Sequence, residues 1–196
     1  MIKLIDFGDR ERVILKSLPS ELSHSLKQAA KDELVGVEVR IAEPSDKDAI
    51  VGIADEIREQ SELYLMITST DPNAAYAVAK ELAEKGVALS KIILNIPEPG
   101  PARGLKEELG CLIALTVSHP FPNVETLKRS GIDAVVMPYT LIKPRIVKEA
   151  HAKDIAVIAA TVNDVSAAVR VVSAGADALI SEKPDILKQA RKFGFA

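Results

Sequence analysis

The stretch Ile155-Ala156-Val157-Ile158-Ala159-Ala160-Thr161 is a short apolar run that ends on a hydroxyl residue, and 22 residues after its start Asp177-Ala178-Leu179-Ile180-Ser181 repeats the pattern. A run that is apolar at every position, not at alternate ones, suits a strand covered on both faces, as in a parallel sheet. Between the two runs, Asn163-Asp164 supplies a helix cap, and Val171-Val172-Ser173-Ala174-Gly175 closes the helix on a glycine able to adopt the left-handed conformation. One strand, one helix and two short loops need little more than about 20 residues, so this interval holds one βα unit and nothing else.

Outward from this pair the unit recurs along the whole chain. Apolar runs begin near Arg12, Val35, Glu62, Lys91, Cys111, Asp133, Ile155 and Asp177, with successive starts 23, 27, 29, 20, 22, 22 and 22 residues apart. Ser20, Asp71-Pro72, Pro122-Asn123 and Pro184-Asp185 offer further helix starts, and Leu127-Lys128-Arg129-Ser130-Gly131 a further stop. Residues 44–60 are ambiguous. Ile50, Ile53, Ala54 and Ile57 have helical spacing, while residues 49–54 also suit a strand; the segment is read as the second helix. Eight units predict a (β/α)8 TIM barrel of minimal size with short loops and parallel strands, one domain over residues 1–196. A doubly wound sheet is the alternative, but neither G-x-G-x-x-G nor G-x-x-x-x-G-K occurs.

Composition narrows the function classes. With 25 Lys and Arg against 28 Asp and Glu, the net charge is −3, without the basic excess of a general nucleic-acid binder. No apolar run approaches the roughly 18 residues that span a bilayer, and residues 1–6 are too short and acidic for a signal peptide. Cys111 is the single cysteine, and no Cys/His spacing fits zinc, so a reducing, cytoplasmic setting is expected. Aromatics make up 4% with no Trp, which leaves Ile, Val, Leu and Ala to build the core.

In such a barrel, ligands meet the C-terminal ends of the strands. That rule selects Lys16, Ser17, Glu38, Arg40, Thr68, Ser69, Asn95, Thr116, Ser118, His119, Tyr139, Thr161, Asn163, Ser181, Glu182 and Lys183. Glu38 and Arg40 are two apart on one strand and share a face; Val37 and Val39 suit the helix side, which points Glu38 and Arg40 inward. Arg40 with Lys16 on the next strand could hold a phosphate or carboxylate; equally, Glu38, Arg40 and Lys16 could form an ion-pair cluster filling the mouth. Glu38 and His119 are the candidate acid-base residues, though His119, before Pro120, also reads as a loop histidine. Lys16, Arg40, Asn95, Thr161, Asn163 and Glu182 are the candidate ligand-binding set. Asn163 doubles as a candidate helix N-cap, His24 and His151 read as solvent-facing or capping, Asp55-Glu56-Ile57-Arg58-Glu59 as a solvated helix face, and Cys111 as a small core residue.

The C-terminal third carries a more specific pattern. Residues 143–152 (KPRIVKEAHA), 155–164 (IAVIAATVND) and 174–185 (AGADALISEKPD) resemble, in order and spacing, the C-terminal signature of glycerophosphodiester phosphodiesterases. Leu26-Lys27-Gln28-Ala29-Ala30 before Val37-Glu38-Val39-Arg40 is similar to an upstream block of that family, with Pro19 at a further match. The resemblance implies a (β/α)8 barrel, hydrolysis of glycerophosphodiesters in lipid metabolism, and a divalent metal, Mg or Ca, where that activity is retained. The family's metal and histidine positions differ here. Its His-Arg-Gly falls at Leu15-Lys16-Ser17, its E-x-D pair at Glu38-x-Arg40, its third carboxylate at Met66, and its second histidine near Ile53-Ala54-Asp55. A divalent cation needs several oxygen ligands, so no metal site is assigned.

The expected function is accordingly a barrel of this type that binds a small phosphate-containing molecule with most family catalytic residues replaced. Alternatives are a hydrolase rearranged around Glu38, His119 and Glu182, or a structural or regulatory barrel, with a homo-oligomer in view. A third is a type I dehydroquinase-like lyase: Glu38-x-Arg40 and Met66-Ile67-Thr68-Ser69 are similar to that family's substrate strands, but Val135-Val136-Met137-Pro138 lacks its Schiff-base lysine.

Overall fold

In the computed structural model, strands and helices alternate as β1 (Glu11–Ser17), α1 (Leu22–Lys31), β2 (Leu34–Ile41), α2 (Pro44–Gly52), α3 (Ala54–Glu59), β3 (Tyr64–Ser69), α4 (Pro72–Glu84), β4 (Ile92–Ile96), α5 (Ala102–Leu109), β5 (Leu112–Thr116), α6 (Val124–Arg129), β6 (Ala134–Pro138), α7 (Pro144–His151), β7 (Ala156–Ala160), α8 (Val165–Ser173), β8 (Ala178–Ser181) and α9 (Ile186–Lys192). The structure describes residues 5–118 and 123–192. The reading of residues 1–4 as too short for a signal, and those of His119, Pro120 and Pro122, fall outside them.

The eight strands run parallel in sequence order and close into a barrel, with β8 pairing back onto β1 through Val13 opposite Leu179. The (β/α)8 expectation is met, and the doubly wound alternative is not. Residues 44–60 are helical, broken at Ile53 into α2 and α3. Gly131 and Gly175 take the expected positive φ, +83° and +92°. Asp71 and Asn123 cap α4 and α6 as read from sequence. One cap is corrected. The Asp164 side chain accepts from Ala167 N–H at 2.9 Å and caps α8, which releases Asn163 for other bonds.

Two apolar layers hold the barrel. Val37, Val39, Ile67 and Leu94 face outward and pack with Leu26, Leu82 and Leu127 of the helices. Inside, Tyr64, Met66 and Ile93 meet the small side chains Ala114, Ala134, Ala156 and Ala178, so bulk on β3 and β4 is matched by alanine on β5 to β8. Filling by layers of side chains makes this interior a core and not a pore.

The base is closed by aromatic packing. The Tyr64 hydroxyl donates to Asp6 O at 3.1 Å, and the ring meets Phe7 edge to face at 5.6 Å and 82°. Lys91 Nζ lies 4.4 Å from the same ring's centroid. A Cβ at position 36 would come 2.3 Å from Tyr64 O, so β2 and β3 approach this closely only because residue 36 is glycine.

Two aspartates clamp the strand beginnings in the same way. Asp133 Oδ2 accepts from Ile113 N–H at 2.9 Å and its other oxygen pairs with Lys106. Asp177 Oδ2 accepts from Val157 N–H at 2.7 Å and lies 2.8 Å from His151 Nε2. His151 is therefore partnered, against its reading as solvent-facing or capping. No helix among the described residues is long and apolar enough to cross a membrane.

Candidate functional site

The C-terminal ends of the strands surround a cavity of about 190 Å³ lined by Lys16, Glu38, Arg40, Asn95, Thr116 and Thr161, with Val136, Met137, Pro138, Ala160 and Ile180 as its apolar wall. Parallel register explains the grouping. Lys16, Glu38, Met66 and Ile93 lie side by side on one rung, and Arg40, Thr68, Asn95 and Ala114 on the rung above. Glu38 and Arg40 share the inward face of β2, as their spacing predicts. They differ in depth: Glu38 is 3% exposed, whereas Arg40 is exposed at the rim.

The polar groups fall into three sets. On β3 to β5 a chain runs through the buried Asn95, whose Nδ2 donates to Thr68 Oγ1 at 3.1 Å while its Oδ1 accepts from Thr116 Oγ1 at 3.0 Å. On the closing side, Lys16 Nζ pairs with Glu182 Oε1 at 3.0 Å, and Asn163 Nδ2 donates to Glu182 Oε2 at 2.9 Å. Asn163 Oδ1 accepts in turn from Glu182 N–H and Ser181 Oγ. The Lys16 ammonium holds the Glu182 carboxyl below the usual carboxylate range. Asn163 and Glu182 thus reach the site through Lys16 and do not line the cavity.

The third set is Glu38 and Arg40. Among the described residues neither has a hydrogen-bond or ion-pair partner, the Glu38 carboxylate opening to the cavity, and no ion pair joins Glu38, Lys16 and Arg40. This corrects the reading of the three as a mutually neutralising cluster, because Lys16 is already committed to Glu182. His119 lies outside the described residues.

Sequence reasoning named the polar lining but missed the apolar wall. The available signal was alternation: Val136 and Pro138 on β6, Ala160 on β7 and Ile180 on β8 share the inward face with the alanines below them. Cys111 is buried as expected, and burial pushes its thiol up to about 11, well away from the thiolate chemistry a nucleophile needs.

The donor set does not fit a divalent metal. Among the described residues no three His, Cys, Asp or Glu side chains converge, and Glu38 is one carboxylate beneath an arginine. β6 carries no lysine, so the lyase alternative lacks its Schiff-base group.

No family model and no curated protein sequence matches the chain. Solved structures do match at the level of fold. A glycerophosphodiester phosphodiesterase from Parabacteroides distasonis shares 10% identity at TM-score 0.74, over 94% of this chain and 99% of its own. An Oleispira antarctica phosphodiesterase in complex with the product sn-glycerol-3-phosphate shares 14% identity at TM-score 0.71, over 93% and 97%. A tetrameric deoxyribose phosphate aldolase from Aeropyrum pernix shares 14% at TM-score 0.72, over 98% and 93%. A longer Silicibacter pomeroyi protein, assigned to the glycerophosphoryl diester phosphodiesterases, is spanned over 56% of its length. Identities this low establish the barrel alone.

Proposed function

We propose that the barrel mouth binds a small phosphate-containing molecule, with Arg40 as the principal anion ligand, and that glycerophosphodiester hydrolysis is not retained. The observation that carries this reading is the Arg40 guanidinium at the rim of the cavity, without a partner among the described residues, near Lys16 on the neighbouring strand. A guanidinium offers a planar fork of donors that matches phosphate bidentately, whereas Lys16, held by Glu182, adds a point charge. Two of the barrels that share this fold are named for phosphate-bearing substrates or products, which supports the ligand class.

Hydrolysis of the kind suggested by the resemblance needs a metal to polarise the phosphoryl group and an acid-base pair to move protons. Met66 stands in for the third carboxylate, and Arg40 places a positive charge at the second, so the first requirement is unmet.

The test is a calorimetric titration of the full chain with inorganic phosphate. Arg40→Ala should weaken binding by about ten-fold or more, and Lys16→Ala by about three-fold. Phosphate binding that ignores Arg40→Ala would overturn the reading. Turnover of glycerophosphocholine should stay at background with Mg²⁺, Ca²⁺ or Mn²⁺; strong metal-dependent turnover would show that the first three strands are wrongly matched to the family pattern.

A further inference from the structure

Glu38 is nine-tenths buried, opens onto the cavity, and among the described residues has no partner. Its carboxylate opens to the cavity and is not sealed from water, and the side chains most able to neutralise it are nearby. Lys16 is its neighbour on the same rung, yet its ammonium bonds Glu182. Arg40 is two residues further along the same strand, yet its side chain is exposed at the rim. The amide of Asn95, on the rung above, turns an N–H to Thr68. Among the described residues the cavity therefore presents a carboxylate without a bonded partner at depth and a guanidinium without one at its lip.

Resting on the phosphate reading above, we infer that the ligand is a small zwitterion, an aminoalkyl phosphate whose protonated amine seats on Glu38 while its phosphate meets Arg40. The order of charges is the argument. An anion alone would satisfy Arg40 and leave Glu38 buried beside added negative charge. A bare divalent cation would find one carboxylate where it needs several oxygens. A hydroxyl would donate one hydrogen bond and leave the carboxylate's charge in place, whereas an ammonium brings three donors and the opposite charge. The Cα atoms of Glu38 and Arg40 stand about 6.6 Å apart along the strand with both side chains on one face, so a short ligand can meet both. The ligand's carbons would lie against Val136, Pro138 and Ile180.

The experiment compares four probes on the full chain by calorimetry: phosphoethanolamine, ethanolamine, inorganic phosphate and sn-glycerol-3-phosphate. Phosphoethanolamine should bind about ten-fold or more tighter than each of the others. Glu38→Gln, nearly isosteric, should erase that advantage while inorganic phosphate binding holds or tightens, because the buried negative charge is gone. Phosphate and phosphoethanolamine binding equally through Arg40 would overturn the zwitterion and leave the phosphate reading standing. Glycerol phosphate matching phosphoethanolamine would show that a hydroxyl suffices and overturn the amine. Binding of neither phosphate nor phosphoethanolamine would overturn both readings. The comparison of ligands on the unmodified protein needs no variant to fold.

Discussion

Asn95 has both ends of its amide occupied, by Thr68 on one side and Thr116 on the other, and is itself 2% exposed. Its bonds fix the upper rung of the barrel across three strands. Asn95→Ala should lower stability by about 1–3 kcal/mol in urea unfolding, because two inward hydroxyls lose their partner at once. Glu182 gives a pH signature on the other side of the mouth. Its carboxyl is lowered chiefly by the hydrogen bond and charge of Lys16. A group lowered on folding stabilises the fold above its ordinary value, and that contribution is lost as pH falls through the folded one. Carboxyl NMR should therefore find Glu182 titrating below its ordinary 4.5, and Lys16→Ala should return it upward. A Glu182 titration unmoved by Lys16→Ala would remove the pair from solution.

At the scale of elements, Asp133 and Asp177 tie the beginnings of β6 and β8 to the neighbouring strands β5 and β7. Removing His151 leaves Asp177 still accepting from Val157 N–H, whereas removing Asp177 strands that N–H within the sheet. Asp177→Ala should cost about 1–3 kcal/mol, and His151→Ala clearly less, in parallel thermal or urea denaturation. Equal losses would mean that the His151 contact, and not the strand N–H, carries the clamp. The elements were legible because runs such as residues 155–161 are apolar on both faces and recur at one unit length. Boundaries slipped by up to two residues, as at Glu62-Leu63 before β3, where an apolar residue precedes the first ladder bond. The shared face of Glu38 and Arg40 was legible from period two. The partner of Lys16 was not: Glu182 lies 166 positions away, and only closure of β8 onto β1 brings them together. Nor could spacing separate Asn163 from Asp164 as the cap, since both types serve and only the backbone path decides.

The molecule as a whole is closed by the β1 and β8 pairing, reinforced where Arg191 of α9 pairs with Glu11 of β1. A ring of strands gains its last neighbour only when complete, so the barrel should unfold in one cooperative step. Near-UV tyrosine dichroism, which reports Tyr64 at the base together with Tyr76 and Tyr139, should lose its signal at the same urea midpoint as far-UV dichroism, which reports the helices. Separate midpoints would divide the chain into independently folding parts. The seal of Tyr64, Phe7 and Lys91 across the base also governs traffic. With the interior filled beneath the mouth, the site is a cup and not a conduit: a guest must back out along the route by which it came. Its amine end would enter first and leave last. For the zwitterion proposed above, release would begin at Arg40, with the amine's contact to Glu38 the last to break.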